Sequence, residues 1–81
     1  MAVVRLQSLL AQEAGTRRIE VDAATLGEAL RRLPVAGLVL DEHGAVRPLV
    51  NVFVDGEREH DLAAPLAQSS VVLLVAAVAG G

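Results

Sequence analysis

The sequence predicts an α+β fold in which one layer of mixed sheet, four to five strands, packs on one helix in the order ββαβββ. Three observations predict it. Strand patterning recurs on both sides of a single helical stripe, that stripe lies between the second and third strand segments, and the final apolar run reads as a buried strand. The alternating βα order of a doubly wound sheet is thereby excluded, because one helix can cover only one sheet face.

Residues 3–7 alternate, with Val4 and Leu6 on one face and Val3, Arg5 and Gln7 on the other; this is the first strand. Residues 9–15 are short and end in Gly15, so a turn-rich link is expected there. Residues 17–21 alternate again, Ile19 and Val21 inward and charges outward, giving a half-buried second strand in a hairpin with the first. Thr25-Leu26-Gly27-Glu28 has the form of a capping box, in which hydroxyl and carboxylate reciprocally satisfy free backbone N–H groups. The helix it opens carries Leu26, Ala29, Leu30 and Leu33 in one apolar stripe, with Glu28, Arg31 and Arg32 toward water. Pro34 ends it near Arg32 or Leu33. Leu38-Val39-Leu40 is an apolar patch expected beneath it.

After the polar turn Asp41-Glu42-His43-Gly44, residues 49–54 form the clearest strand of the middle of the chain. Asp55-Gly56 supplies the positive φ of a tight hairpin turn, and residues 57–60 return as a short charged strand of the kind that blunts a sheet edge. A loop broken by Pro65 leads to residues 71–78, the last strand. Val72 and Leu74 can face the helix while Val71, Leu73 and Val75 point to the uncovered side, and apolar residues on both faces mark a central strand. An uncovered apolar face is costly in a monomer and often marks a protein interface, with cover by a loop or by a dimer partner as the open alternatives. Val71, Leu73, Val75 and Val78 are therefore the expected docking surface.

Eighty-one residues make one domain, residues 1–81, of a size that buries only about 60 to 65% of the surface its unfolded chain exposes, with little room for a catalytic cleft. Phe53 is the one aromatic residue, the net charge is -3 and the arginines do not form a stripe, which argues against nucleic-acid binding. The absence of cysteine excludes disulfides, thiolate catalysis and Cys-based zinc sites. His43 and His60 lie in polar contexts without a metal-ligand pattern, and read as solvated loop residues. The first residues lack the pattern of a signal peptide. The longest apolar run is about half the ~20 residues a spanning helix needs. A cytoplasmic protein with no membrane association is expected. All seven basic residues are arginines, so no ε-amine exists through which the chain could be polymerised.

The sequence closes on Ala79-Gly80-Gly81, directly after the last strand. Glycine usage of about 7% would place two there by chance in roughly 0.5% of chains. A terminal carboxylate, with a reference pKa of about 3.5, is ionised in water and is a poor electrophile, so a partner must activate it. Glycines without Cβ atoms can pass extended through a narrow channel and let another backbone approach closely.

These residues carry a resemblance. Residues 3–15, the helix start Thr25-Leu26-Gly27-Glu28-Ala29-Leu30, the middle strand and turn Arg47-Pro48-Leu49-Val50-Asn51-Val52-Phe53-Val54-Asp55-Gly56, Pro65-Leu66 and the tail Ala77-Val78-Ala79-Gly80-Gly81 together resemble the ubiquitin-like sulfur carrier proteins of the MoaD/ThiS family. The resemblance spans the whole chain, and its tail is the most specific part. It implies a β-grasp fold and a carrier that is not itself an enzyme. It implies that an adenylyltransferase related to ubiquitin-activating enzymes uses ATP-Mg to convert the Gly81 carboxylate into an acyl-adenylate; the carrier itself would bind no cofactor. Sulfur from a persulfide or sulfide donor then displaces AMP and leaves a thiocarboxylate on Gly81, with Gly80 and Ala79 as the approach. That sulfur passes to a biosynthetic enzyme, of cysteine-synthase or specialised-metabolite type by preference, or of the molybdopterin or thiamine pathways.

The chain departs from the family pattern in three places. Relatives commonly carry a longer helix and an acidic turn before the final strand, where this chain has Pro34 and Gln68-Ser69-Ser70-Val71; and Ala76 stands where a proline commonly precedes Ala-Val. Two other readings of the tail stay open: a protein modifier joined to target lysines through Gly81, and a subunit that binds permanently to a larger enzyme and activates it without catalysing.

Overall fold

Alternation near the start of the chain and an apolar run near its end build the middle of one sheet. The computed structural model describes residues 1–76. Within them β1 (Ala2–Leu6), β2 (Arg18–Val21), β3 (Val50–Val54), β4 (Glu57–Arg58) and β5 (Val71–Ala76) form a five-stranded sheet in the order β2-β1-β5-β3-β4. β1 and β5 run parallel, with Val3 opposite Val71 and Leu6 opposite Leu74. The other neighbours are antiparallel, so the sheet is mixed. β5 is the central strand, as its two apolar faces require.

The period-2 alternation sends Val4, Leu6, Val52, Val72 and Leu74 to one face, where all are buried. Against that face lie α1 (Ser8–Ala14), α2 (Leu26–Arg31) and α3 (Ala36–Val39), contributing Leu10, Leu26, Ala29, Leu30 and Val39 to the same core. Burying each such Leu is worth roughly 1.5–3 kcal/mol. This stabilises helices far too short to stand alone.

The start of α2 is secured from two sides. Thr25 Oγ1 accepts the Glu28 N–H at 3.3 Å, the forward half of the expected capping box. The reverse half is not formed, since the Glu28 carboxylate instead takes Nη2 of Arg32 at 3.1 Å. The remaining donors go to the segment around Pro65: Leu26 N–H to the Ala64 carbonyl at 3.0 Å and Gly27 N–H to the Leu62 carbonyl at 2.8 Å. Gly27 permits this approach, because a Cβ there would stand 3.1 Å from the Leu62 carbonyl oxygen.

Two helical segments exceed the sequence reading. Residues 8–14, expected as a turn-rich link, form α1, closed by Gly15 at φ 76° with its N–H on the Ala11 carbonyl. The β1–β2 pair is accordingly antiparallel but joined through a helix. Two turns of helix are stable here because Leu10 is almost wholly buried in the core, a tertiary contact that local pattern does not reveal. The patch at 38–40 is the end of α3 and its cap; Val39 and Leu40 are buried, while Leu38 is exposed. β4 stops at Arg58, short of the expected residue 60, and β5 is described to Ala76.

Candidate functional site

β5 presents Val71, Leu73 and Val75 on the face opposite the helices, as expected from the alternation. Val71 is 38% exposed, and Leu73 and Val75 are half-buried. The register gathers their surroundings. Arg5 pairs with both Arg18 and Leu73, and Phe53 pairs with both Leu73 and Arg58, so one row across all strands reads Arg18, Arg5, Leu73, Phe53, Arg58. The next row sets Val3 between Glu20 and Val71. Phe53 and Arg5 are not among the sequence-predicted docking residues; alternation places Arg5 on the outer face of its strand, but only the pairing register puts both beside Leu73.

An open depression of about 360 Å³ lies on this face, lined by Arg5, Gln7, Phe53, Gly56, Val71 and Leu73. The outer arginines of the row are lightly held: Arg18 meets Glu20 at 3.0 Å with both side chains more than half exposed, and Arg58 Nη2 donates to Asn51 Oδ1. Such surface pairs contribute little, about 0–1 kcal/mol. The face is an apolar centre with arginines on either side, in a chain whose net charge is -3.

The entry of β5 is fixed by side chains. Asp55, at φ 51°, and Gly56, at φ 85°, form the two-residue hairpin between β3 and β4. Asp55 Oδ1 accepts the Val71 N–H at 2.9 Å, and the Asp55 N–H donates to the Val71 carbonyl at 2.9 Å. Just before β5, Ser70 is buried; its hydroxyl oxygen accepts the Ala67 N–H at 2.9 Å and its own N–H donates to the Ala67 carbonyl at 3.1 Å. At the other end of β5, Ala76 pairs with Val50. Val78, Ala79, Gly80 and Gly81 lie outside the described residues.

Elsewhere the polar groups serve turns. Asp41 Oδ1 accepts the His43 and Ala45 N–H groups at 2.8 and 3.0 Å. These bonds, that from Ala45 foremost, hold its carboxyl below the usual value. His43 is exposed beside Glu42, 3.7 Å away. Exposed His60 borders a smaller hollow of about 280 Å³ with Val46, Val50, Val52 and Leu62. Among the described residues no group of three acidic or histidine side chains is placed to hold a metal ion. No helix among them is long and apolar enough to cross a membrane.

No protein-family model matches the chain, and no curated protein matches it either. Solved structures do. The chain is 32% identical to SAMP1, small archaeal modifier protein 1, from Haloferax volcanii, over 99% of this chain and 98% of that one, with a TM-score of 0.81. It belongs to the ubiquitin-like sulfur carrier and modifier proteins of the MoaD/ThiS type. Other members of this β-grasp group share the fold at lower identity. Mycobacterium tuberculosis CysO matches with a TM-score of 0.83 at 21% identity, over 96% of this chain and 100% of that one. A chain of the Amycolatopsis orientalis BexX/CysO complex matches with a TM-score of 0.80 at 22% identity, over 100% of both. In this fold the strand that precedes the glycine pair in the sequence, β5, is the central strand of the sheet.

Proposed function

We propose that this chain is a sulfur carrier whose Gly81 carboxylate is adenylated by an ATP-Mg-dependent partner and converted to a thiocarboxylate. The observation that carries the reading is a MoaD/ThiS-type fold whose central strand, β5, is followed in the sequence by Ala79-Gly80-Gly81. The chemistry balances simply. A carboxylate oxygen attacks the α-phosphorus of ATP and pyrophosphate leaves; sulfide then attacks the carbonyl carbon and AMP leaves with the C–O electron pair, or a persulfide attacks there to give an acyl disulfide, from which a second thiol displaces the thiocarboxylate by forming a disulfide with the donor. Gly81 would carry the sulfur, with Gly80 and Ala79 as the slender approach. The domain supplies docking rather than catalysis.

Val71, Leu73, Val75 and Val78 form the proposed docking surface, extended by Phe53 and Arg5. The arginines on either side fit a partner surface whose apolar centre is bordered by carboxylates. The CysO neighbour is solved in complex with BexX, which supports a fold that works through protein partners. The sulfur then passes to a biosynthetic enzyme, and nothing in the sequence requires a membrane or a nucleic acid.

The test is intact mass after incubation with an adenylyltransferase of the ubiquitin-activating type, ATP-Mg and sulfide. Exchange of one oxygen for sulfur at Gly81 is expected, and a chain lacking Gly81 should show none. Failure with every such activator from the same organism would overturn the reading. The name of the 32%-identical relative favours a second use of the same end, conjugation to target lysines. Target peptides bearing a Gly-Gly remnant on lysine would identify that use.

A further inference from the structure

β2 is the last strand on its side of the sheet, so one of its edges has no neighbouring strand among the described residues. The register decides which groups that edge offers. The Arg17 carbonyl takes the Leu6 N–H at 2.9 Å and so faces β1, and successive residues of a strand turn their backbone groups to opposite sides. Arg18 and Glu20 therefore present their N–H and C=O groups at the free edge, while those of Ile19 turn back toward Val4.

The two edge residues differ. Thr16 Oγ1 accepts the Arg18 N–H at 3.3 Å and donates its own hydrogen to the Arg18 carbonyl at 3.1 Å, so a single hydroxyl occupies both edge-facing groups of that residue. A residue of a neighbouring strand would make the same two bonds. Thr16 stands in for a strand that is absent from the monomer. The edge-facing groups of Glu20 have no backbone partner among the described residues.

An open edge is a template for another strand, and the charges of this one select which. Residues 17–22 read Arg17-Arg18-Ile19-Glu20-Val21-Asp22, basic before Ile19 and acidic after it. Arg18 and Glu20 are exposed, and Ile19 is half-buried. Laid against itself in the antiparallel sense about Ile19, the segment sets Arg18 of each copy opposite Glu20 of the other. A parallel pairing in register would oppose arginine to arginine, and like charges directly opposite destabilise a sheet. In the antiparallel register Arg18 and Glu20 exchange both backbone hydrogen bonds, and the two Ile19 side chains meet as the closer, non-hydrogen-bonded kind of pair. The same patch serves both copies, as a two-fold interface requires. Its axis stands perpendicular to the sheet, so Val71, Leu73 and Phe53 stay open on the outer face of each copy.

We propose that the β2 edge is a pairing surface for a second copy of this chain, antiparallel about Ile19, and that the Thr16 hydroxyl latches it shut. In the monomer the Arg18 groups are already bonded. Pairing breaks both Thr16 bonds in each copy and returns bonds of the same kind, so the exchange at Arg18 is close to neutral. Glu20 and the charge pairs are left to offset the lost freedom of two molecules, which is too little for a tight dimer. Loss of the Thr16 hydroxyl bares a complete edge. The pairing asks nothing of Gly81.

The test is sedimentation equilibrium of the full chain from micromolar to millimolar concentration. The unmodified sequence should associate weakly, and only at the top of that range. Thr16→Val, similar in shape but unable to hydrogen-bond, should tighten dimerisation about tenfold or more. Adding Glu20→Arg, which opposes like charges, should abolish the gain, and adding Arg18→Glu to that pair should restore it. Amide hydrogen exchange locates the contact: in Thr16→Val the Glu20 N–H should exchange more slowly as concentration rises. A Thr16→Val chain no more associated than the unmodified one would overturn the proposal, and so would an unmodified chain that dimerises as tightly as the variant. A dimer that survives Glu20→Arg, or leaves Glu20 exchange unchanged, would use another surface and equally overturn it. Circular dichroism verifies the fold of each variant; should Glu20→Arg disturb it, Glu20 exchange in Thr16→Val decides alone.

Discussion

At the scale of single residues, small polar side chains hold the backbone that positions β5. Asp55 combines a left-handed conformation with a hydrogen bond from the Val71 N–H. Asp55→Ala loses the acceptor and places a Cβ-bearing residue without local compensation at positive φ, so a loss of about 1–2 kcal/mol is expected in denaturant unfolding. Asp55→Asn keeps an acceptor and tolerates that conformation, and should cost less. Asp41 gives a prediction in pH. Its carboxyl titrates below the ordinary value of 3.8 because the Ala45 and His43 N–H groups, with further help from the His43 and Arg47 charges, favour the anion. A group depressed in the folded state contributes stability that is present above its unfolded pKa and is lost as pH falls through the folded one. Asp41→Asn should therefore flatten the acid limb of the stability profile below about pH 4, read by thermal unfolding across pH. An unchanged acid limb would refute the assignment.

At the scale of elements, α2 depends on what meets its first turn. Thr25 caps the Glu28 N–H, while the Leu62 and Ala64 carbonyls take the next donors. Thr25→Ala should cost about 1 kcal/mol, the usual worth of an N-cap, and no more, because the loop bonds persist. Gly27→Val should cost more, about 1–3 kcal/mol, because a branched side chain must enter the space held by the Leu62 backbone. The capping signal was legible in the sequence, but its partner was not. A capping box names its own residues only, whereas the carbonyls that complete this one come from a segment more than thirty residues away. The same distinction separates α2 from α1: a four-residue apolar stripe announces α2, while α1 rests on the burial of Leu10.

At the scale of the whole molecule, the sheet separates a helix-covered core from an exposed face bearing Val71, Leu73 and Phe53. Leu73→Asp should leave the fold intact by circular dichroism, since Leu73 is outside the buried core, yet weaken binding to the activating enzyme at least tenfold, about 1.4 kcal/mol. Equal affinity would remove this face from the docking proposal. Removing Gly80 and Gly81 should leave the melting temperature of the domain unchanged, since glycine has no side chain to bury, while abolishing sulfur loading. The amino-acid order by itself determined the fold class, the inward and outward residues of the first, second and last strands and the centrality of β5, because side-chain period and residue type are local properties. Only the tertiary structure decided which outer residues become neighbours, that Arg5 and Phe53 flank Leu73, and that a two-turn helix survives between β1 and β2. Those outcomes depend on strand register and burial, and both are fixed when distant segments pair, by energies that no single segment contains.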